Sequence, residues 1–259
     1  MILSIHGIVG SQILQVDPDY LAFYNRVTTA GGSLSTTEQS AVLQLVKDLK
    51  DYGIWSKMKA IYPMVGASSA ACAQNLKSSS FTGTFNGGIT YTSTGVQGNG
   101  TTGYMDTNLS SNTSLSLNNL SLSIYSRNDQ NTGGDIGDKN TTTGFSGIFI
   151  RLSNIFYAFL GELNYVTETN NNSTGFYAIS RLSSSQVYYY KNGNALGTNP
   201  KSSNSSSLNT GTIDIMRANG QYSNREYAFA SIGDGLTDTE ASNFYTAVQA
   251  FNTTLSRQV

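Results

Sequence analysis

Hydrophobic and polar residues alternate with two different periods near the end of the chain. Residues Tyr227 to Gly233 alternate large apolar with small side chains, which is the period of a half-buried strand. After a turn at Asp234 and Gly235, Thr237 and Glu240 have the spacing of a capping box. Large apolar residues then recur at helical spacing: Phe244, Val248, Phe251 and Leu255. The pattern predicts a strand, a turn and a closing amphipathic helix.

Residues 17–59 have a helical pattern and form a predicted helical lead-in. Asp17 followed by Pro18 is a helix start signal, and Gly31-Gly32 marks a stop. Ser35 and Glu38 form a second capping box. Apolar residues then make one stripe: Val42, Leu45, Val46 and Leu49. The lead-in therefore predicts two consecutive helices, each with one buried face.

Residues 1–16 are an apolar arm interrupted by Gly7 and Gly10. An apolar arm can pair with a sheet edge or dock on another subunit, and it can equally be the first strand of the domain. The first alternative predicts a homo-oligomer, with a trimer favoured. Both alternatives stay open at the level of the sequence.

Residues 60–235 have β patterning throughout. Apolar runs on either side of Ser153-Asn154 have the spacing of a two-residue hairpin, and Asn192-Gly193-Asn194 is a strong turn signal. Further strands are predicted at 60–65, 120–127, 176–181, 186–191, 213–217 and 227–232. About a dozen short strands with regular turns favour an antiparallel sandwich or barrel. With the closing helix, the β domain is expected to span residues 60–259.

Composition narrows the function classes. Only 12% of the 259 residues are charged and the formal net charge is −1. Without a basic stripe, nucleic-acid binding is not expected. Cys72 is the single cysteine, which predicts a small buried side chain and no internal disulfide. The most apolar region, residues 145–166, contains Arg151 and Glu162, so no membrane span is predicted.

Several of these segments resemble known families. Residues Val187 to Leu196 resemble the strand-turn-strand of laminin-G-like and concanavalin A-like sandwiches, and Val96 to Asp106 resemble an earlier part of that fold. Residues Gln44 to Pro63 and Ile232 to Phe251 are similar to segments of bacteriophage structural proteins. The resemblance implies a concanavalin A-like antiparallel β-sandwich (jelly roll) with an N-terminal helical segment and a C-terminal amphipathic helix.

The resemblance also implies a location. Such proteins occur on virions or phage-like particles as tail fibres, head fibres or spikes. The arm at residues 1–16 would contact other virion proteins, and the sandwich would be surface-exposed and could bind a host receptor or glycan.

Catalytic residues are not predicted. Glucanases of this fold use Glu-x-Asp-x-x-Glu on one strand, and no such motif occurs here. Glu162 and Glu168 lie close in sequence but lack the middle acid. His6 is the single histidine, and no nucleophile elbow accompanies it. A non-enzymatic protein is therefore expected, with a glycoside hydrolase or lyase of the same fold as the alternative.

A calcium site is one candidate binding site. Asp129, Asp135 and Asp138 fall in a Gly- and Asn-rich stretch at residues 128–138. Calcium favours several oxygen ligands on a flexible loop. The alternative interpretation is a solvated turn without metal, and no other cofactor is predicted.

Tyrosines are the candidates for carbohydrate binding, because aromatic faces stack on sugar rings. Residues 188–190 are all tyrosine and cannot all face one side of a strand, so at least one must point outward. The candidates are Tyr188 and Tyr190, together with Tyr222 in a predicted loop. Trp55 could also stack on a sugar, but a packing anchor between helix and sheet is the preferred interpretation. The preferred function is a virion structural protein that binds a host receptor or glycan. The alternatives are a carbohydrate-active enzyme and a purely architectural capsid or baseplate protein.

Overall fold

The structure is a computed structural model that describes residues 16–139, 144–162, 165–202 and 204–259. The predicted arm lies outside the described residues except for Val16. No helix among the described residues is both long and apolar enough to span a lipid bilayer.

The predicted helices begin at their predicted caps. The structure has α1 at Pro18–Thr29, α2 at Thr36–Asp51, α3 at Ser69–Cys72, α4 at Ser111–Ser114, α5 at Asp238–Thr254, and a 3-10 turn at Trp55–Lys57. The Asp17 carboxylate accepts a hydrogen bond from the Asp19 amide at 2.9 Å. Both capping boxes are present, at Ser35 with Glu38 and at Thr237 with Glu240. These side chains satisfy amide groups that have no partner within the helix.

The strands are short and evenly distributed over the rest of the chain. They are β1 Met58–Tyr62, β2 Thr84–Asn86, β3 Ile89–Thr92, β4 Gly95–Gly98, β5 Tyr104–Ser110, β6 Leu120–Ser126, β7 Ile136–Asp138, β8 Phe145–Leu152, β9 Ile155–Glu162, β10 Val166–Thr169, β11 Gly175–Arg181, β12 Gln186–Lys191, β13 Asn194–Ala195, β14 Lys201–Ser202, β15 Thr212–Ile215, β16 Arg217–Ala218, β17 Gln221–Tyr222 and β18 Glu226–Gly233. The hairpin predicted at Ser153-Asn154 is confirmed, because β8 pairs with β9, and a second hairpin pairs the predicted strands β11 and β12. Ser153 and Asn154 both have positive φ, as a tight hairpin turn requires.

Two antiparallel sheets face each other. The first sheet has the order β13-β12-β11-β6-β18-β4-β3, with β1 beside β18 and β14 beside β12. The second sheet has the order β10-β9-β8-β7-β15-β5-β2. A separate hairpin joins β16 to β17. The predicted fold class, an antiparallel jelly-roll sandwich with a C-terminal helix, is confirmed.

The period-2 alternation of the strands divides the apolar residues between two cores. On β11, Tyr177 and Ile179 point into the space between the sheets, whereas Phe176 and Ala178 point outward toward the helices. Helices α1, α2 and α5 cover this outer face of the first sheet, and Trp55 packs there as predicted. Burying the apolar stripes of these helices accounts for their position on the sandwich. The outer face of the second sheet carries a separate, smaller cluster.

Candidate functional site: an aromatic groove

Strands β8 and β9 have apolar side chains on both faces. Their inward residues, such as Ile148 and Phe156, belong to the core between the sheets. Their outward residues include Phe145, Phe149 and Phe159, which form a cluster on the outer face of the second sheet. A sheet face that borders solvent normally carries polar residues, so an aromatic face here is unusual.

The outward aromatic rings pack against one another in edge-to-face geometry. The Phe145 and Phe159 ring centroids are 4.9 Å apart at 74°, and those of Tyr157 and Tyr165 are 5.3 Å apart at 69°. Tyr165 also contacts Phe159 at 5.7 Å. Phe145 is 1% exposed whereas Tyr165 is 59% exposed, so the cluster has a recessed floor and a raised rim. Edge-to-face pairs hold the rings in fixed orientations.

These rings line the floor and the rim of an open groove with a volume of about 430 Å³. Two exposed amides, Asn219 and Gln221, also line the groove, and the part of the lining that they form is called the amide wall. The aromatic groove is lined by Phe145, Phe149, Leu152, Tyr157, Phe159, Tyr165, Asn219 and Gln221. Concave, mainly apolar sites with a few polar groups are typical of small-ligand binding.

The amide wall is the β16-β17 hairpin, which lies against the second sheet because glycines leave room for it. A Cβ on Gly134 would lie 2.6 Å from the Ala218 amide nitrogen, and one on Gly133 would lie 2.3 Å from the Tyr222 carbonyl oxygen. A Cβ on Gly137 would lie 3.1 Å from the Ala218 Cβ. The glycines of the segment 128–138 therefore form the seat of the hairpin.

Backbone hydrogen bonds fix the hairpin on this seat. The Met216 amide donates to the Asp135 carbonyl at 2.7 Å, and the Asn219 amide donates to the Asp138 carbonyl at 2.9 Å. Behind the hairpin, the guanidinium of Arg225 pairs with the Asp135 carboxylate, with both side chains fully buried. The position of the amide wall therefore depends on a buried ion pair.

The structure gives the three calcium candidates other partners. Asp135 and Asp138 are fully buried, and Asp129 bonds Ser173 and Arg151 at 2.9 and 2.7 Å. Among the described residues, no group of three or more acidic, histidine or cysteine side chains is arranged to hold a metal ion. The alternative of a solvated turn is also wrong for Asp135 and Asp138, because both carboxyls accept hydrogen bonds in the protein interior.

The candidate tyrosines are not brought together. Tyr190 is 2% exposed and its hydroxyl bonds Asp238 at 2.7 Å, so its predicted role as a sugar platform is wrong. Tyr188 lies half-buried against the helix-covered core, on the side of the sandwich away from the groove. Tyr222 lies on the hairpin next to Gln221, but its ring packs at 6.1 Å on Tyr104 rather than lining the groove.

The candidate catalytic carboxylates, Glu162 and Glu168, each lie beside a different basic residue. Glu162 is buried with an Arg181 nitrogen 3.5 Å from its carboxylate, and Glu168 pairs with Lys201. They therefore do not form a facing pair of free acids.

Sequence reasoning did not single out Asp214, which is buried beside Arg217. Burial raises the pKa of Asp214 to about 7, although Arg217 acts in the opposite direction.

No protein-family model and no curated protein sequence matches this chain. Solved structures share its fold. Domain 4 of an extracellular arabinanase from Geobacillus stearothermophilus, solved with arabinotriose, has a TM-score of 0.53 at 14% identity, over 73% of this chain and 98% of that domain. The receptor-binding domain of a botulinum neurotoxin C/D mosaic serotype has a TM-score of 0.52 at 12% identity, over 74% of this chain and 52% of the other.

A Trypanosoma rangeli sialidase in complex with sialic acid has a TM-score of 0.50 at 8% identity, over 78% of this chain and 37% of that chain. The present chain thus spans about half of the neurotoxin chain and less of the sialidase. Identities in this range show a shared sandwich fold, and function has to be argued from the site.

Sequence reasoning missed the aromatic groove. A signal was available, because β8 and β9 read as apolar at both odd and even positions. That pattern requires a second apolar surface in addition to the core. The amide wall at Asn219 and Gln221 lies about 60 residues downstream of β9, and no local sequence pattern connects it to the aromatic residues.

Proposed function

We propose that this chain is a non-enzymatic component of a bacteriophage or phage-like particle, on whose surface it binds a host glycan or receptor. The observation that carries the binding role is the aromatic groove on the outer face of the second sheet. The virion assignment is supported by the resemblance of residues 44–63 and 232–251 to bacteriophage structural proteins. In this proposal the arm at residues 1–16 anchors the chain to other virion proteins as a homo-oligomer, with a trimer favoured.

The fold neighbours support a binding role. The arabinanase domain was solved with a bound oligosaccharide, and the neurotoxin domain is named for receptor binding. Neither identity reaches a level at which a ligand can be transferred. The lining of the groove supplies the independent argument, because aromatic faces and amides are the groups that recognise sugars.

The test measures binding to a polysaccharide and cleavage of that polysaccharide in the same experiment. Purified protein is incubated with polysaccharide extracted from the host surface, and both bound protein and new reducing ends are measured. We expect retention without cleavage, and weaker retention for Tyr157→Ala. Tyr52→Ala is the matched control, since Tyr52 is 39% exposed at the end of α2, far from the groove. Failure to adsorb to host cells or their polysaccharide would leave a purely architectural role.

A carbohydrate-active enzyme is the second candidate, because of one pair of acids. Asp106 and Asp214 are directly opposite on neighbouring strands of the second sheet. A carboxyl whose pKa is raised by burial suits a general acid, and a facing carboxylate suits a base or nucleophile. New reducing ends that disappear in Asp214→Asn would favour this candidate over a pure binding role.

A further inference from the structure

The lining of the aromatic groove carries no charge. Its residues are aromatic or aliphatic, apart from the amides of Asn219 and Gln221 and two tyrosine hydroxyls. An anionic ligand would therefore lose its hydration in this groove without gaining a cation.

The shape of the groove suits a small ring better than a protein surface. Phe145 and Phe149 are recessed in the floor, and only Tyr165 among the large exposed apolar residues stands at the rim. The other large exposed apolar residues of the described chain are Val16, Leu21, Tyr52, Leu182 and Val259. None of them lines the groove, so the described residues around it do not form a continuous apolar surface of the kind a stable dimer needs, about 1,200 Å² or more.

The amide wall offers unused hydrogen-bonding groups. The side chains of Asn219 and Gln221 make no hydrogen bond to another described residue. Each amide provides two donors and one acceptor oxygen, which matches the mixed donor and acceptor character of sugar hydroxyls. The hairpin that carries them is fixed by backbone bonds to Asp135 and Asp138, so binding requires little ordering of the backbone.

We infer that the groove binds an uncharged saccharide. A sugar ring stacks against Tyr157 and Tyr165, and its hydroxyls exchange hydrogen bonds with the amides of Asn219 and Gln221. This inference rests on the proposed binding function and narrows its ligand to neutral glycans. Glycans whose recognised unit is a uronic or sialic acid are not expected to bind, because no residue of the described lining is a cation that could pair with a carboxylate.

Affinity electrophoresis of the full chain tests the ligand class. Native gels contain arabinan, mannan or dextran as neutral probes, and alginate or hyaluronan as acidic probes. We expect retardation in at least one neutral gel and none in the acidic gels. Retardation should be unchanged between low and high salt, since no ion pair forms. Absence of retardation in all three neutral gels overturns the inference.

Variants test whether the groove is the site. Tyr165→Ala should weaken retardation about tenfold by removing a stacking face, whereas Tyr165→Phe should change it little. Gln221→Ala should weaken it severalfold, and Tyr52→Ala should have no effect. Equal retardation of Tyr165→Ala, Gln221→Ala and the wild-type chain would place the sugar elsewhere and overturn the inference.

The remaining outcomes separate the inference from the proposed function. Retardation only by alginate or hyaluronan, reduced by salt, overturns the neutral ligand but leaves glycan binding intact. If treating the host cells with protease removes adsorption and treating them with periodate does not, the ligand is not a saccharide. This outcome overturns the inference but leaves a receptor-binding role. Absence of both retardation and adsorption overturns the two together.

Discussion

The guanidinium of Arg257 donates a hydrogen bond to the backbone carbonyl of Ala228 at 2.7 Å. The same group bonds the carbonyls of Pro63 and Met64 at 2.6 and 2.8 Å, and its Nε bonds the Asn252 side chain at 2.7 Å. One cation thus joins the end of α5, the centre of β18 and the segment after β1. Burial lowers the pKa of Arg257 to about 9, so it stays charged at neutral pH.

Replacing Arg257 should destabilise the whole domain. Arg257→Ala leaves three buried carbonyls without a partner, and we expect the free energy of unfolding to fall by about 3 kcal/mol. Urea denaturation followed by tyrosine and tryptophan fluorescence measures it. Gln258→Ala is the control, because Gln258 is exposed beside it. A loss no larger than that of the control would show that α5 is held by its apolar stripe alone.

Stability should fall as the pH rises toward neutrality because of Asp138. Burial raises the pKa of this carboxyl to about 7, and its described hydrogen-bond partners are the Ser111 hydroxyl and the Ser146 amide. The native state therefore binds a proton more tightly than the unfolded chain, whose aspartates titrate near 3.8. The resulting stability is complete below that value and lost as the pH approaches 7.

Unfolding measurements between pH 5 and pH 8 cover the range in which Asp138 and Asp214 both titrate, since burial raises the pKa of each to about 7. The carboxyls whose pKa is lowered, Asp17, Asp129 and Glu240, change stability only at more acidic pH. We expect each of these two carboxyls to lower the free energy of unfolding by roughly 1–3 kcal/mol over this range, so Asp138→Asn should reduce the decline and leave the part due to Asp214. Asp51→Asn, on the exposed end of α2, should leave the slope unchanged. A slope that is the same in Asp138→Asn would contradict the assignment.

Calcium should not stabilise the segment 128–138. Arg225 and the Tyr227 hydroxyl bond one carboxylate oxygen of Asp135, and the Ile150 amide bonds the other at 2.6 Å. Arg225 also donates to the carbonyls of Gln130 and Arg151 at 2.6 and 2.7 Å, so a guanidinium supplies the positive charge there. We expect the same melting temperature in millimolar calcium and in EDTA. A calcium-dependent rise would mean that the aspartates exchange these partners for the ion.

Removing the positive charge of Arg225 should destabilise the protein. Arg225→Met leaves the Asp135 carboxylate buried without its cation, which should cost about 3–5 kcal/mol. The double variant with Asp135→Asn should recover part of that loss, because the unpaired charge is gone. Thermal unfolding of the single and double variants measures the coupling. Additive losses would show that Arg225 and Asp135 are not energetically coupled.

The glycine seat of the hairpin should control the groove. Gly134→Ala places a Cβ 2.6 Å from the Ala218 amide nitrogen, so the hairpin must move away from the sheet. We expect lower thermal stability together with weaker retention of the glycan that the wild-type chain binds. Gly53→Ala is the control, since its Cβ meets no atom within 4 Å, its positive φ is strained in the same way, and it lies at the end of α2 away from the groove. Unchanged retention in Gly134→Ala would show that the amide wall takes no part in binding.

Features encoded within a few residues were predictable from sequence. The capping box at Thr237 and Glu240, the start at Asp17 and the turn at Ser153-Asn154 each depend on neighbours less than five positions away. The alternation of Tyr227 to Gly233 likewise fixed a strand, because a pleated chain must present successive side chains to opposite faces. These local rules were enough to predict an antiparallel sandwich or barrel with terminal helices, and the resemblance to concanavalin A-like folds favoured the sandwich.

The partners of polar residues were decided only by the tertiary structure. Composition places Asp135 in a polar, glycine-rich loop, yet its partner Arg225 lies 90 residues away and removes it from solvent. Tyr190 was predicted on a strand correctly, but only the packing of α5 against the first sheet shows that its ring is covered. The aromatic groove arises in the same way, since β8, β9 and a distant hairpin meet only when the sheet closes. Side-chain periodicity specifies which face a residue occupies, whereas the long-range packing of the sheets decides what lies against that face.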